Sequence, residues 1–304
     1  MEGWILYRKP DTHISADVYE MNRFQESAKA NGINLRIIPP EDFEITVFPE
    51  ERKKVIINGE VTPLPDFIIP RMGAGTTYFA LAVIRQLEKL GVYSLNSSVA
   101  VESVKDKLYT QQILAQENIP MPQTMMVKFP VDVDLVTKHF KYPLILKTLY
   151  GAQGKGVFMP RSHDEFLKML ELVEIMNNEA SLIIQEMITP SFGRDLRVFT
   201  VGGRVVACME RSAADPGGFK ANFSQGGKVR DFPVDDEIEW LATTISRLFE
   251  LDVAGVDLLF DDDGYKVCEV NSSPGFRGIE SVCPARIPDE IFHYIKVRLG
   301  HFGK

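Results

Sequence analysis

The sequence predicts a chain of α/β and α+β class built in three parts: an N-terminal parallel α/β domain, a central α+β unit and a C-terminal mixed-sheet domain. Three observations lead there. Over the first hundred residues, short apolar strand-like runs alternate with helical stretches, the pattern of parallel strands buried under helices. From residue 101 a helical stretch gives way to prolines, strands and a dense glycine cluster. Beyond residue 182 several strands follow one another before a helix and a last strand pair. We place the domain limits at 1–98, 99–184 and 185–304, in keeping with usual domain sizes of about 100–200 residues.

In the first part, strands are expected at 4–7, 35–38 and 67–70, and helices at 18–31 and 77–90, the second closed by Gly91 as a C-cap. Residues 55–61 read as a small hairpin, because Asn58-Gly59 supplies the two positive-φ residues of a type I′ turn. The middle part is expected to hold a helix over 103–117, strands at 144–147 and 157–159 around a glycine loop, and a helix over 164–176. The third should hold strands at 183–186, 196–201 and 205–209, a helix over 236–250, and strands at 254–260 and 265–270.

A balance of 45% hydrophobic and 25% charged residues is that of an ordinary globular protein. No apolar run approaches the roughly 18–20 residues that cross a bilayer, so no membrane insertion is expected. The N-terminus has no long apolar stretch before a cleavage site, and Cys208, Cys268 and Cys283 form no CxxC pair. A cytoplasmic protein with inert thiols is the expectation. A net charge of −8 argues against a nucleic-acid partner, although a local pocket with a few cations suits a nucleotide.

The most informative stretch is Ala254-Gly-Val-Asp-Leu-Leu-Phe260, Asp261-Asp-Asp-Gly264 and Tyr265-Lys-Val-Cys-Glu-Val-Asn271, two apolar strands flanking a turn. With residues 262–264 as a three-residue loop, Asp261 pairs with Tyr265, and counting back sets Asp257 opposite Glu269. Asn271, two residues on, shares that face. Like charges facing each other in a hairpin are destabilising unless a cation joins them, and this hard-oxygen set suits Mg²⁺ held together with substrate phosphates. The three turn aspartates read as a solvated tip.

Tyr150-Gly-Ala-Gln-Gly-Lys-Gly156 follows a strand, and Gly151, Gly154 and Gly156 let backbone N–H groups approach an anion; a plain flexible hairpin fits equally well. Lys147 ends the apolar strand before it, where a buried ammonium calls for an anionic partner. Lys107 near a helix start reads on its own as an exposed lysine. The run Ile183-Ile-Gln-Glu-Met-Ile188 reads as a linker strand or as an adenine-binding one. Asp195, Arg197, Arg211, Lys220 and Asn222 add polar groups that surface ion pairs explain equally.

Taken together, Lys107, Lys147 with its glycine loop, Gln185-Glu186, Asp195-Leu-Arg197, Asn222, Asp257 and Glu269-Val-Asn-Ser-Ser-Pro-Gly275 resemble the ATP-grasp superfamily, and within it the RimK-like α-L-glutamate ligases. The likeness also takes in Pro70-Arg-Met-Gly73, Leu87-Glu-Lys-Leu-Gly91 and Leu95-Asn96. It implies a three-part ATP-grasp fold with a central lid and ATP between the central and C-terminal parts. In that family the residues matching Lys107 and Lys147 contact ATP phosphates, those matching Glu186 and Met187 hold adenine, and the acid matching Asp195 takes the ribose region. Asp257, Glu269 and Asn271 match the ligands of two Mg²⁺ ions, for which Mn²⁺ can substitute, and Arg211 and Asn222 match positions beside the transferring phosphate. Lys220-Ala221-Asn222 departs from the usual Arg-Ser-Asn, and Ser212 stands where a second arginine often follows. Lysine does not reproduce arginine's bidentate fork, so these departures bear on how substrate is held.

The implied function is an ATP-dependent carboxylate–amine ligase that works through an acyl phosphate. Its partners would be ATP, a carboxylate-bearing protein C-terminus, peptide or small molecule, and an amino acid, glutamate in the family; self-association is also implied. Joining another amino acid, cyclising a peptide, phosphotransfer without ligation and an idle ATP-binding module are the alternatives.

Overall fold

The computed structural model describes residues 1–7, 15–47, 54–148, 156–215, 217–219, 221 and 226–301. In chain order the first part holds β1 (Glu2–Leu6), α1 (Ser15–Ala30), β2 (Asn34–Ile38), β3 (Phe43–Glu44), β4 (Lys54–Ile57), β5 (Glu60–Pro63), β6 (Phe67–Pro70), α2 (Tyr78–Lys89) and β7 (Tyr93–Ser94). Strands in the order β2-β1-β6-β7 form a parallel sheet. The apolar runs of its two inner strands, β1 and β6, are buried on both faces, as inner parallel strands require. Ile5, Phe67 and Ile69 meet Phe24 of α1, whereas Trp4, Leu6 and Ile68 face Val83, Ile84 and Leu87 of α2. The Asn58-Gly59 turn between β4 and β5 has φ of 52° and 78°, the two left-handed residues expected of it.

The helix expected over 103–117 is two helices, α3 (Ser98–Lys105) and α4 (Lys107–Gln116). The break lies at Asp106, which leaves helical geometry and caps α4, its Oδ1 accepting from the backbone N–H groups of Leu108 and Tyr109 at 3.0 Å each. A single aspartate inside a helical pattern does not by itself announce such a break. Next come β8 (Thr124–Lys128), α5 (Val133–His139), β9 (Leu144–Thr148), β10 (Val157–Phe158), α6 (His163–Met176) and β11 (Ser181–Glu186). They form an antiparallel sheet, β10-β9-β11-β8, with a core of its own in which Phe140, Leu146, Phe166 and Ile184 meet.

The last part runs β12 (Arg194–Val201), β13 (Arg204–Ser212), β14 (Lys228–Asp231), α7 (Asp236–Leu248), β15 (Val253–Asp261), β16 (Gly264–Asn271), α8 (Arg277–Val282) and α9 (Ile287–Arg298). Its antiparallel sheet has the order β14-β13-β12-β15-β16. One face packs on α7, with Ala100, Val104 and Leu114 of α3 and α4 in the same core. The other face is continuous with the N-terminal sheet: Phe199, Val201 and Met209 share a core with Phe24, Phe67 and, from α9, Phe292. Among the described residues no helix is long and apolar enough to cross a membrane, and all three cysteines are free thiols.

Gly255 of β15 lies against the loop that follows β16. A Cβ there would meet Pro274 Cβ at 2.5 Å and Arg197 Cδ at 3.1 Å. Gly255→Ala should therefore overpack the sheet at a cost of about 1–3 kcal/mol. The check is a denaturant midpoint that falls while the slope of the transition is unchanged.

Candidate active site

The β15–β16 hairpin brings Asp257 directly opposite Glu269, and Asn271 opposite Gly255. The route to that register differs from the expected one. Asp261 pairs with Gly264, so the loop is the two residues Asp262 and Asp263, which by itself would set Cys268 opposite Asp257. A bulge corrects it: Leu258 pairs with Val267, Asp257 with Glu269, and Cys268 is the extra residue. Bulges re-aim strand side chains in this way. The shorter loop and the bulge offset each other.

The same face continues across the sheet. Register places Asp257 of β15 beside Arg197 of β12, and Asp195 of β12 beside Arg211 of β13. Arg197 donates from Nε to Asp257 Oδ1 and from Nη2 to Oδ2 at 2.7 Å. Arg211 donates to both oxygens of Asp195, at 2.6 and 2.8 Å, and its Nη2 also lies 2.9 Å from Asp257 Oδ2. The side chains of Arg211 and Asp257 are each only 7% exposed. Charge of both signs thus alternates through a nearly dry row. Burial pushes the Asp257 carboxyl up, but the guanidiniums of Arg197 and Arg211 outweigh it and hold the group below the usual carboxylate range. Burial likewise opposes the Arg211 charge, and the two carboxylates more than restore it.

Glu269 is half-buried and, among the described residues, has no hydrogen-bond or ion-pair partner. Asn271 donates one long bond, Nδ2 to Gly255 O at 3.5 Å, which leaves its Oδ1 as an acceptor. Two carboxylates and an amide oxygen therefore share a face, a hard-oxygen donor set suited to Mg²⁺. No cluster of three or more His, Cys, Asp or Glu side chains exists among the described residues. The set fits a metal that completes its shell with substrate oxygens better than an all-protein cage.

The central sheet reaches this hairpin through Lys147 of β9, whose Nζ is 4.0 Å from Cys268 Sγ and has no carboxylate in ion-pair range among the described residues. Lys107 is the first residue of α4 and half-exposed. One turn on, Gln111 donates from Nε2 to Cys268 O at 3.3 Å, so Lys107 lies on the helix face turned toward the bulge. Glu186 ends β11, accepts from the backbone N–H of Gln123 at 3.0 Å and pairs with Lys266 of β16 at 2.9 Å; Met187 follows it, half-buried. Gly156 has φ 77° and turns against Thr148, where a Cβ would meet Oγ1 at 2.3 Å. Gly151, Gly154, Lys220 and Asn222 lie outside the described residues.

Two members of this surround were not singled out from sequence. Lys266, which also reaches Asp261 at 3.2 Å, joins linker and hairpin; its trace is one lysine between Tyr265 and Val267. Gln111 is 5% exposed, and its Oε1 is buried without a partner among the described residues; nothing in a helix sequence marks it.

Two profiles match the chain: a RimK PreATP-grasp domain over residues 12–101 and a RimK-like ATP-grasp domain over residues 104–295. A relative in Legionella pneumophila (strain Corby), named a probable alpha-L-glutamate ligase, is 37% identical over 280 residues, 92% of each chain. The fold is similar to that of the ATP-grasp ligase PsnB complexed with a minimal precursor, at TM-score 0.74 and 18% identity over 98% of both chains. It is also similar to D-alanine–D-alanine ligase from Bacillus anthracis complexed with ATP, at TM-score 0.69 and 17% identity over the whole of both. The class is therefore that of ATP-grasp ligases, enzymes that form C–N bonds at the expense of ATP. Within that class the chain belongs to the RimK-like ATP-grasp family.

Removing one partner of a buried pair leaves the other charge stranded, typically at 3–5 kcal/mol. Arg197→Met should destabilise the protein by about that much, and Arg197→Met with Asp257→Leu by less, in equilibrium unfolding. The stability from Asp257 is present above the pKa of an unfolded aspartate, near 3.9, and is lost as pH falls through the depressed folded value. Without Arg197, burial lifts the folded value, so acid unfolding of the single variant should begin at higher pH than in the native protein.

Proposed function

We propose that the enzyme joins a substrate carboxylate to the α-amino group of glutamate, with Asp257, Glu269 and Asn271 holding two Mg²⁺ ions under the ATP phosphates. The observation that carries this reading is the register of the hairpin, which sets two carboxylates and an amide on one face beside Lys147. When bound, the ions would supply charge neutralisation on the phosphate oxygens of ATP. Asp257 can act as a ligand while two guanidiniums keep it ionised, and Glu269 brings a carboxylate free of competing pairs among the described residues. Lys147, with no carboxylate in ion-pair range among the described residues, and Lys107 on the near face of α4 are the phosphate cations.

The substrate carboxylate oxygen attacks the γ-phosphorus in line, the bond to the β-bridging oxygen breaks, and ADP leaves with an acyl phosphate formed. The glutamate amine then adds to the activated carbonyl and gives up a proton, and phosphate departs to leave an amide. No protein nucleophile is needed, in keeping with inert thiols: burial pushes Cys268 up and holds Cys208 and Cys283 at about 12. Glu186 and Met187 at the end of β11, with Asp195, Arg197, Gly151, Gly154 and Gly156, are assigned to nucleotide binding, and Arg211, Lys220 and Asn222 to the transferring phosphoryl. Glutamate is supported by the name of the Legionella relative. The Lys220-Ala221 substitution motivates a second reading, in which the same ATP chemistry serves another amine or closes a peptide ring.

ATP consumption with a panel of carboxylates and amino acids, followed by product mass, tests the reading. The expected product gains one glutamate residue; loss of water alone would mean ring closure. Changes in groups outside a metal shell already cost 10–100-fold, so Asp257→Asn and Glu269→Gln should each lower turnover by more than about 100-fold. Glu269→Gln leaves the buried ion pairs intact, and undiminished turnover in it would remove the metal assignment.

A further inference from the structure

The loop that leaves Asn271 is held by the N-terminal part of the chain at alternate residues. Asn96 sits at the end of the parallel sheet, 2% exposed, with a left-handed φ of 53°. Its Nδ2 donates to Ser272 O at 2.6 Å and to Val253 O at 2.8 Å, while its Oδ1 accepts from Val253 N at 3.0 Å. One amide therefore binds the residue next to Asn271 and the first residue of β15. Its own carbonyl is fixed by the hydroxyl of Ser94 at 2.7 Å.

Two residues further on, Pro274 O accepts from Arg71 Nη1 at 2.9 Å. Two beyond that, Phe276 N donates to Glu20 Oε1 at 2.9 Å, and Arg71 and Glu20 pair with each other. The Arg71 guanidinium also lies over the rings of Phe24 and Phe276, at 5.8 and 5.6 Å. Beneath the loop, Gly255 admits Pro274 where any side chain would exclude it. These ties all act on the residues that directly follow Asn271. Their common effect is to set where β16 ends, hence where the Asn271 amide points.

We propose that Asn96, seconded by the Arg71–Glu20 pair, is a positioning residue for the metal site: it fixes the Asn271 side chain through Ser272 and Val253. The inference rests on the reading of Asn271 as a ligand, and it makes the N-terminal part a builder of the metal site. Partners one step outside a metal shell typically contribute 10–100-fold to affinity.

The test titrates Mn²⁺ into the full chain at fixed ADP and follows the free-ion resonance by electron paramagnetic resonance. Asn96→Gly accepts the positive φ and deletes all three side-chain hydrogen bonds; Asn96→Asp keeps the shape but turns an acceptor toward two carbonyls. Both should weaken Mn²⁺ binding by about 10–100-fold. In turnover, the half-saturating metal concentration should rise similarly, with kcat recovered at excess metal. Unchanged Mn²⁺ affinity in Asn96→Gly overturns the inference, as does a kcat loss that excess metal does not restore. Should that variant not fold, Arg71→Lys, which keeps the charge but loses the fork, gives the same reading through Pro274. Asn271→Ala separates the two levels: if it binds Mn²⁺ normally, Asn271 is misassigned as a ligand, whereas weak binding there with normal binding in the Asn96 variants overturns positioning alone.

Discussion

A carboxylate buried in a sheet face stays ionised only if cations are bound to it, and the arrangement around Asp257 follows from that constraint. Arg197 meets it with a two-pronged contact from the neighbouring strand and Arg211 from one strand further. Guanidinium suits the task because its planar fork matches a carboxylate and its charge is not lost on burial. Arg211 would itself be overcommitted without Asp195, which takes its other edge. The four side chains form one alternating chain, so none can be altered without unbalancing the next. Glu269 stands at the end of the row with no guanidinium among the described residues, and the excess negative charge falls there, on the face that Lys147 approaches.

The components of this row were legible in the sequence, and their connections only partly so. That Asp257, Glu269 and Asn271 share a face follows from strand periodicity, and the structure has them so. The reason was not legible: a loop one residue shorter than expected is offset by the bulge at Cys268, and a bulge leaves no composition signal when the extra residue is as unobtrusive as a cysteine. Asp195 and Arg197 were visible as polar residues in a strand, but an alternating strand does not tell which neighbours it will lie between. Only the order β13-β12-β15 turns them into partners of Arg211 and Asp257.

Element types were easier to read where local chemistry decides them. Asn58-Gly59 permits a tight hairpin turn, and the unbroken apolar runs of β1 and β6 announce a sheet covered on both sides. The split between α3 and α4 was missed because an aspartate is tolerated inside a helical pattern and becomes a cap only once the following N–H groups need an acceptor. Gln111 and Lys266 escaped notice for another reason. Their roles consist of contacts to residues more than 75 positions away, to Cys268 O and to Glu186, and no window of sequence contains both partners.

Long-range contact also divides the molecule into a fixed and a separate body. The N-terminal and C-terminal sheets share one apolar core, closed by α9 when the end of the chain returns to pack on α1 and β6. The central sheet keeps its own core and meets the hairpin through polar side chains, Glu186 with Lys266 and Lys147 beside Cys268. Polar contacts across a seam separate at lower cost than a shared apolar core, because water replaces what they lose. The oxygen face of the hairpin therefore belongs to the body built on the shared core, and the lysine that approaches it belongs to the central sheet with its own core.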